Sequence, residues 1–130
     1  MKSLLLISAL TIFSATAFAA PSKLVNLVKN DEAEVLLADS FSRTLYVFDL
    51  DQGTTTSKCT GDCAEMWPPY LISAEEAKTL SEGLGTITRA NNKLQLTYEG
   101  RPLYTYSPDR AIGDDKGDDV GNVWHYVEIE

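Results

Sequence analysis

The chain has 130 residues, with 11 Lys and Arg against 19 Asp and Glu, and a formal net charge of -8 at pH 7. Such a surface repels phosphate backbones and anionic lipid headgroups, so nucleic acid and membrane surfaces are set aside as partners. The length suits one compact domain and not two, and 44% hydrophobic residues suffice for its core.

Lys2, an apolar run from Leu4 to Phe13, and then Ala17-Phe18-Ala19 have the pattern of a secretory signal peptide over residues 1–19. The apolar run is too short for a permanent membrane span. No cysteine stands at the cleavage point to take a lipid. Residues 20–130 are therefore expected to form a single exported domain, soluble in the periplasm or outside the cell and without a membrane anchor. In an oxidising compartment the two cysteines, Cys59 and Cys63, read first as a disulfide.

Residues 24–30 carry Leu24, Val25, Leu27 and Val28, a patch that periodicity leaves open between a strand and one helical turn. Residues 34–39 read as a buried strand and residues 43–48 as its hairpin partner, which Asp51 and Gly53 bring to an end. Ser73 and Glu76 have capping-box spacing, so a short helix is predicted from there to Glu82, with Gly83 closing it. Residues 86–88 and 94–98 flank Asn91-Asn92 as a second hairpin. The expected fold is mainly antiparallel β, sandwich or barrel-like, with one short α-helix between two repeated units.

The repeat emerges when Tyr104 is laid on Tyr46. Leu36 then meets Leu94, Arg43 meets Arg101, Leu45 meets Leu103, Phe48 meets Tyr106 and Asp51 meets Asp109. With one deletion Trp67 meets Trp124, and Cys59 and Cys63 fall opposite Gly117 and Gly121. An ordered series of this kind indicates a tandem duplication, the first copy over about residues 33–70 and the second over about 86–130. Both copies carry a tyrosine, any, aromatic, any, any, aspartate motif, Tyr46/Phe48/Asp51 and Tyr104/Tyr106/Asp109. With Cys59, Cys63 and Trp67-Pro68-Pro69 in one copy and Gly113-Asp114, Gly117 and Trp124 in the other, the chain resembles the bacterial secreted-repeat proteins described as predicted lipoproteins. The resemblance implies an exported tandem-repeat domain and brings no established activity with it. The chain departs from that family in lacking the lipid-attachment cysteine and in having Ser42 where a glycine usually precedes Arg43.

Alternating aromatics at Tyr46, Phe48, Tyr104 and Tyr106 suit a core or cross-strand pairs better than a ligand-stacking face. Asp51 and Asp109 are placed to accept buried phenols or to cap the turn that follows, which makes the motif a structural latch. Cys59, Cys63 and the only histidine, His125, supply an alternative copper or redox site. Glycines at the matching places in the second copy favour a tight structural loop instead. No nucleophile elbow or His-Glu-x-x-His is present, and the paired acids lie in turns, so hydrolysis by carboxylates is the third reading. The acidic loop 109–122 offers Asp114 and Asp118 as calcium ligands. Its spacing departs from the calcium-loop pattern and Lys116 sits within it, so a solvated loop is preferred. The sequence thus reads as a non-catalytic exported module that binds an unknown protein or small ligand, with no cofactor required.

Overall fold

The computed structural model describes residues 23–130, so the signal peptide read from residues 1–19 lies outside the described residues. Strands β1 (Val25–Lys29) and β2 (Val35–Asp39) form an antiparallel hairpin, which settles residues 24–30 as a strand. Asn30 makes the turn: its Oδ1 accepts the amides of Glu32 and Glu34 at 3.1 and 2.9 Å. β2 is buried on both faces. Leu37 packs with Leu45, Val47, Ile72, Leu96 and Leu103, while Leu36 and Ala38 point the other way onto Val28, as a period of two requires.

The next turn is built on buried Asp39, whose Oδ1 accepts the amides of Phe41 and Arg43 at 2.9 Å and whose Oδ2 accepts Arg43 Nε at 2.8 Å. Ser42 takes φ +64 there, a left-handed conformation that favours glycine and accounts for the family's usual residue. The chain returns beside β2 only as far as Leu45, whose amide reaches Leu37 O at 2.9 Å. The expected hairpin partner of β2 then leaves it. β3 (Tyr46–Phe48) pairs instead with β8 (Trp124–Tyr126), where Phe48 can stack on Trp124.

The second copy repeats this plan. β5 (Leu84–Thr88) and β6 (Leu94–Tyr98) form the expected hairpin, with Asn92 at φ +62 in its turn. β7 (Arg101–Pro102) follows β6, and β4 (Leu71–Ile72) pairs with β6 on its other side. Each copy's tail completes the other's sheet. Leu37 N–H meets Val127 O at 2.8 Å just as Leu96 N–H meets Tyr70 O at 2.8 Å, and Asp49 N–H meets Val123 O as Ser107 N–H meets Met66 O. At the centre Tyr46 and Tyr104 exchange backbone hydrogen bonds of 2.8 and 3.0 Å, so an approximate two-fold axis runs between them.

The register corrects one pairing read from sequence. Leu37 O receives Leu45 N–H and Leu96 O receives Leu103 N–H, which makes Leu37 the counterpart of Leu96 and Leu36 the counterpart of Gln95. The shift arises because the first copy turns through Ser40, Phe41 and Ser42 where the second uses only Glu99 and Gly100.

Three antiparallel sheets carry the fold, and no closed barrel forms among the described residues. Among the described residues the one α-helix, α1 (Asp62–Met66), starts at the end of the cysteine loop, takes in Cys63 and runs past it, and does not lie over residues 73–82. The capping box at Ser73 does form, with reciprocal bonds to Glu76 of 2.9 and 3.1 Å. It nucleates only a 3-10 turn, Glu76–Thr79, which has no buried residue. A helix this short persists only when an apolar face packs on something.

Candidate functional site

The motif residues converge on the two-fold axis. Phe48, Trp124, Trp67 and Tyr106 form one continuous stack with centroid separations of 4.2, 3.9 and 4.0 Å, the two indoles being parallel to within 1°. Tyr46 stands edge-on to Trp67 at 5.4 Å and Tyr104 edge-on to Trp124 at 5.1 Å. Both tyrosines are 0% exposed. Rings offset or edge-on in this way gain about 0.5–1.5 kcal/mol per pair beyond their buried area. Of the motif aromatics Tyr46, Phe48 and Tyr104 are therefore core, while Tyr106 is half-buried with one face on Trp67.

Each phenol is held by the aspartate of the opposite copy. Tyr46 donates to Asp109 Oδ2 at 2.6 Å and Tyr104 to Asp51 Oδ2 at 2.5 Å. The second oxygen of each acid ties its own loop: Asp51 Oδ1 accepts Lys58 N–H at 2.7 Å and Asp109 Oδ1 accepts Lys116 N–H at 3.1 Å. Burial raises the pKa of both phenols well above the ordinary tyrosine range. It also raises Asp109 above the usual carboxylate range, against the bonds from Tyr46 and Lys116. The spacing of the motif thus serves a reciprocal latch: one strand residue points at its partner copy, and the acid after the strand receives the partner's phenol. A third contact, the Ser57 hydroxyl 2.6 Å from Tyr104 Oη, had no signal in the sequence.

The sulfurs of Cys59 and Cys63 lie at bonding distance, 2.05 Å, and Cys59 is buried against the aromatic cluster. Arg89 caps this loop from the second copy, donating to Cys59 O at 2.8 Å. With both sulfurs used on each other there is no thiolate to offer copper. His125 lies with acids instead, Nε2 at 2.8 Å from Asp49 and Nδ1 at 3.1 Å from Asp119. The closed loop is very short, so replacing both cysteines by alanine is expected to cost about 2 kcal/mol, the low end for a disulfide. A urea melt of the doubly substituted protein with an unchanged far-ultraviolet spectrum checks it.

His125 also predicts a pH effect. The bond to Asp49 comes first among the influences that raise its pKa above the ordinary 6.5. A histidine raised on folding contributes stability in full below the unfolded value and loses it as pH rises through the folded one. The melting temperature is therefore expected to fall as the pH rises from the ordinary histidine value through the raised folded one, and His125→Gln to flatten that fall. Equal slopes for the two proteins would show that Asp49 and Asp119 lend the ring no charge.

The acidic loop spends its carboxylates on its own backbone. Asp114 Oδ2 accepts the amides of Arg110 and Ala111 at 2.8 and 2.9 Å, which lowers its pKa. Asp118 Oδ1 accepts Tyr126 N–H at 3.2 Å and Asp115 Oδ2 accepts Asn30 Nδ2 at 3.1 Å. Asp114 and Asp118 do not gather with each other. Among the described residues Asp118 instead approaches Asp119 and His125, their ligand atoms lying within 4.8 Å of one another.

The sequence reading gave no role to Phe41. It is 78% exposed on the three-residue turn of the first copy, with Arg43 5.4 Å above its ring. Beside it opens a groove of about 270 Å³, lined by Pro68, Pro69, Tyr70 and Leu71 and edged by the charges of Arg43 and Glu76. Nothing in the second copy corresponds to Phe41, because Glu99 and Gly100 make its shorter turn.

Taken together, the exchanged tails and crossed tyrosine latches define a duplicated β-protein whose motif residues hold two copies to each other. The chain belongs to the family described as a secreted repeat of unknown function, whose pattern it matches twice, over residues 33–70 and 85–128. It matches no curated protein and no solved structure. None of the described residues forms a helix long and apolar enough to cross a membrane.

Proposed function

We propose that this secreted-repeat protein is a non-catalytic interaction module that acts in the periplasm or outside the cell. The observation that carries this reading is how the reactive groups are used. The Tyr46 and Tyr104 phenols are bonded to acids, the cysteines to each other and the lone histidine to Asp49 and Asp119. The conspicuous surface feature is Phe41 at the lip of the groove, an exposed aromatic of the kind that anchors protein interfaces.

The test places a photo-crosslinking residue at Phe41, or at Glu99 on the corresponding turn, in exporting cells. A discrete adduct is expected from position 41 and none from 99. Equal adducts from both positions, none from 41, or turnover of ester, glycoside or disulfide substrates by the purified protein would overturn the reading. Export itself is checked by sequencing the mature amino terminus, expected at Ala20, and by detergent partitioning, in which the protein is expected to stay in the aqueous phase. An acylated mass would refute the unanchored form.

A further inference from the structure

We propose that the aromatic core is a relay for electron vacancies, in which oxidation of the Trp67–Trp124 pair is passed to Tyr46 and Tyr104 as each phenol gives its proton to the aspartate of the opposite copy. Its first support is ring spacing. The indoles are parallel with centroids 3.9 Å apart, and each has a buried tyrosine edge-on at 5.4 or 5.1 Å. At such separations an electron crosses between rings far faster than the chain can rearrange. The parallel indoles also share a vacancy formed on either one.

The second support is the proton acceptor. A phenol holds its electron tightly while it keeps its proton and releases it readily when a base takes that proton in the same step. Tyr46 Oη lies 2.6 Å from Asp109 Oδ2 and Tyr104 Oη lies 2.5 Å from Asp51 Oδ2. The proton therefore needs to move only within an existing hydrogen bond, in a core that admits no water to either ring. Among the described residues no carboxylate accepts from either indole N–H, so the tryptophans lack the built-in acceptor that Tyr46 and Tyr104 have.

The step balances. A one-electron oxidant such as a nitrogen-centred or carbonate radical removes one electron from the indole pair and leaves an indole radical cation. One electron then passes from Tyr46 to the indole while the phenolic proton passes to Asp109. The products are a neutral indole, a neutral phenoxyl radical and a neutral carboxylic acid in place of a cation, a phenol and a carboxylate. The same exchange at the other end uses Tyr104 and Asp51. Phe48 closes one end of the stack with a ring too hard to oxidise to accept the vacancy, and Tyr106, half-buried on Trp67 at 4.0 Å, is the competing terminus.

Ultraviolet laser photoionisation tests this in the intact protein, since Trp67 and Trp124 are its only tryptophans. Transient absorption is expected to show the indolyl signal decaying as a phenoxyl signal rises, with a slower transfer in deuterated water because a proton moves in the step. The Tyr46→Phe/Tyr104→Phe protein, its fold checked by near-ultraviolet circular dichroism, is expected to lose most of the phenoxyl signal and to keep the indolyl radical at least tenfold longer. Three results would overturn the relay: an indolyl lifetime in the unaltered protein equal to that of a free tryptophan derivative, a transfer with no solvent isotope effect, or phenoxyl formation that survives both substitutions and disappears with Tyr106→Phe. The isotope measurement needs no substitution, so the proposal stays testable if the double variant fails to fold.

Discussion

Tyr46→Ala and Tyr104→Ala are each expected to lower stability by about 3–5 kcal/mol, the usual cost of removing a buried aromatic ring. That is a large share of the roughly 5–15 kcal/mol that holds a domain together. The loss has two parts. The ring leaves a cavity beside Trp67 or Trp124, and the aspartate of the other copy loses the donor that made its burial tolerable. Tyr→Phe keeps the ring and isolates the second part, about 1–3 kcal/mol for a buried acceptor left without a partner. Tyr46→Phe also frees the Gly117 N–H that donates to Tyr46 Oη at 3.2 Å. Urea melts of the four proteins check this, and a crossed pair checks the latch. Tyr46→Phe combined with Asp109→Asn should cost less than the sum of the single changes, whereas Tyr46→Phe with Asp51→Asn should be additive.

The latch shows what the sequence could and could not reveal. Motif spacing placed tyrosine and aspartate as partners because a phenol in a core needs an acceptor, and Asp51 and Asp109 were the acids at hand in each copy. It could not show that the partners are exchanged between copies. Exchange depends on β3 leaving β2 to pair with β8, a choice made by long-range packing of Phe48 on Trp124. The hairpin around Asn91-Asn92 was legible because its turn chemistry is local, and Asn92 takes the expected left-handed conformation. The helix read from Ser73 failed for the opposite reason: the cap was a true local signal, but the segment lays only Ala77 and Leu80 on the core, too narrow an apolar face to hold a full helix. Phe41 escaped notice because a lone exposed aromatic in a turn has no periodicity. Only the comparison of the two turns, three residues against two, sets it apart.

Gly117→Ala is expected to be strongly destabilising by overpacking the aromatic core. A Cβ there would lie 2.7 and 2.8 Å from two ring carbons of Trp67 and 2.9 Å from Cε1 of Tyr46. None of these atoms can retreat easily. Trp67 is clamped between Trp124 and Tyr106, and Tyr46 is fixed by its bond to Asp109. Overpacking a close-packed core usually costs about 1–3 kcal/mol, and rings held on both faces place this site at the upper end. The corresponding residue of the first copy is Cys59, and the difference lies in how the tyrosine is met. Gly117 N–H reaches Tyr46 directly, whereas Cys59 N–H stops at Ser57 Oγ, 3.1 Å away, and Ser57 spans the remaining distance to Tyr104. The loop bearing Cys59 therefore stands off by one hydroxyl and has room for a side chain. Gly121→Ala is the control: its Cβ would meet only Val123 at an ordinary 3.6 Å, and its φ of +59 with ψ of +13 leaves only left-handed backbone strain, about 1–2 kcal/mol. Gly117→Ala should unfold at clearly lower urea than Gly121→Ala, and Trp67→Phe should recover part of its loss while costing stability in the parent. If the two alanine proteins melt together, the stack yields more readily than its geometry implies.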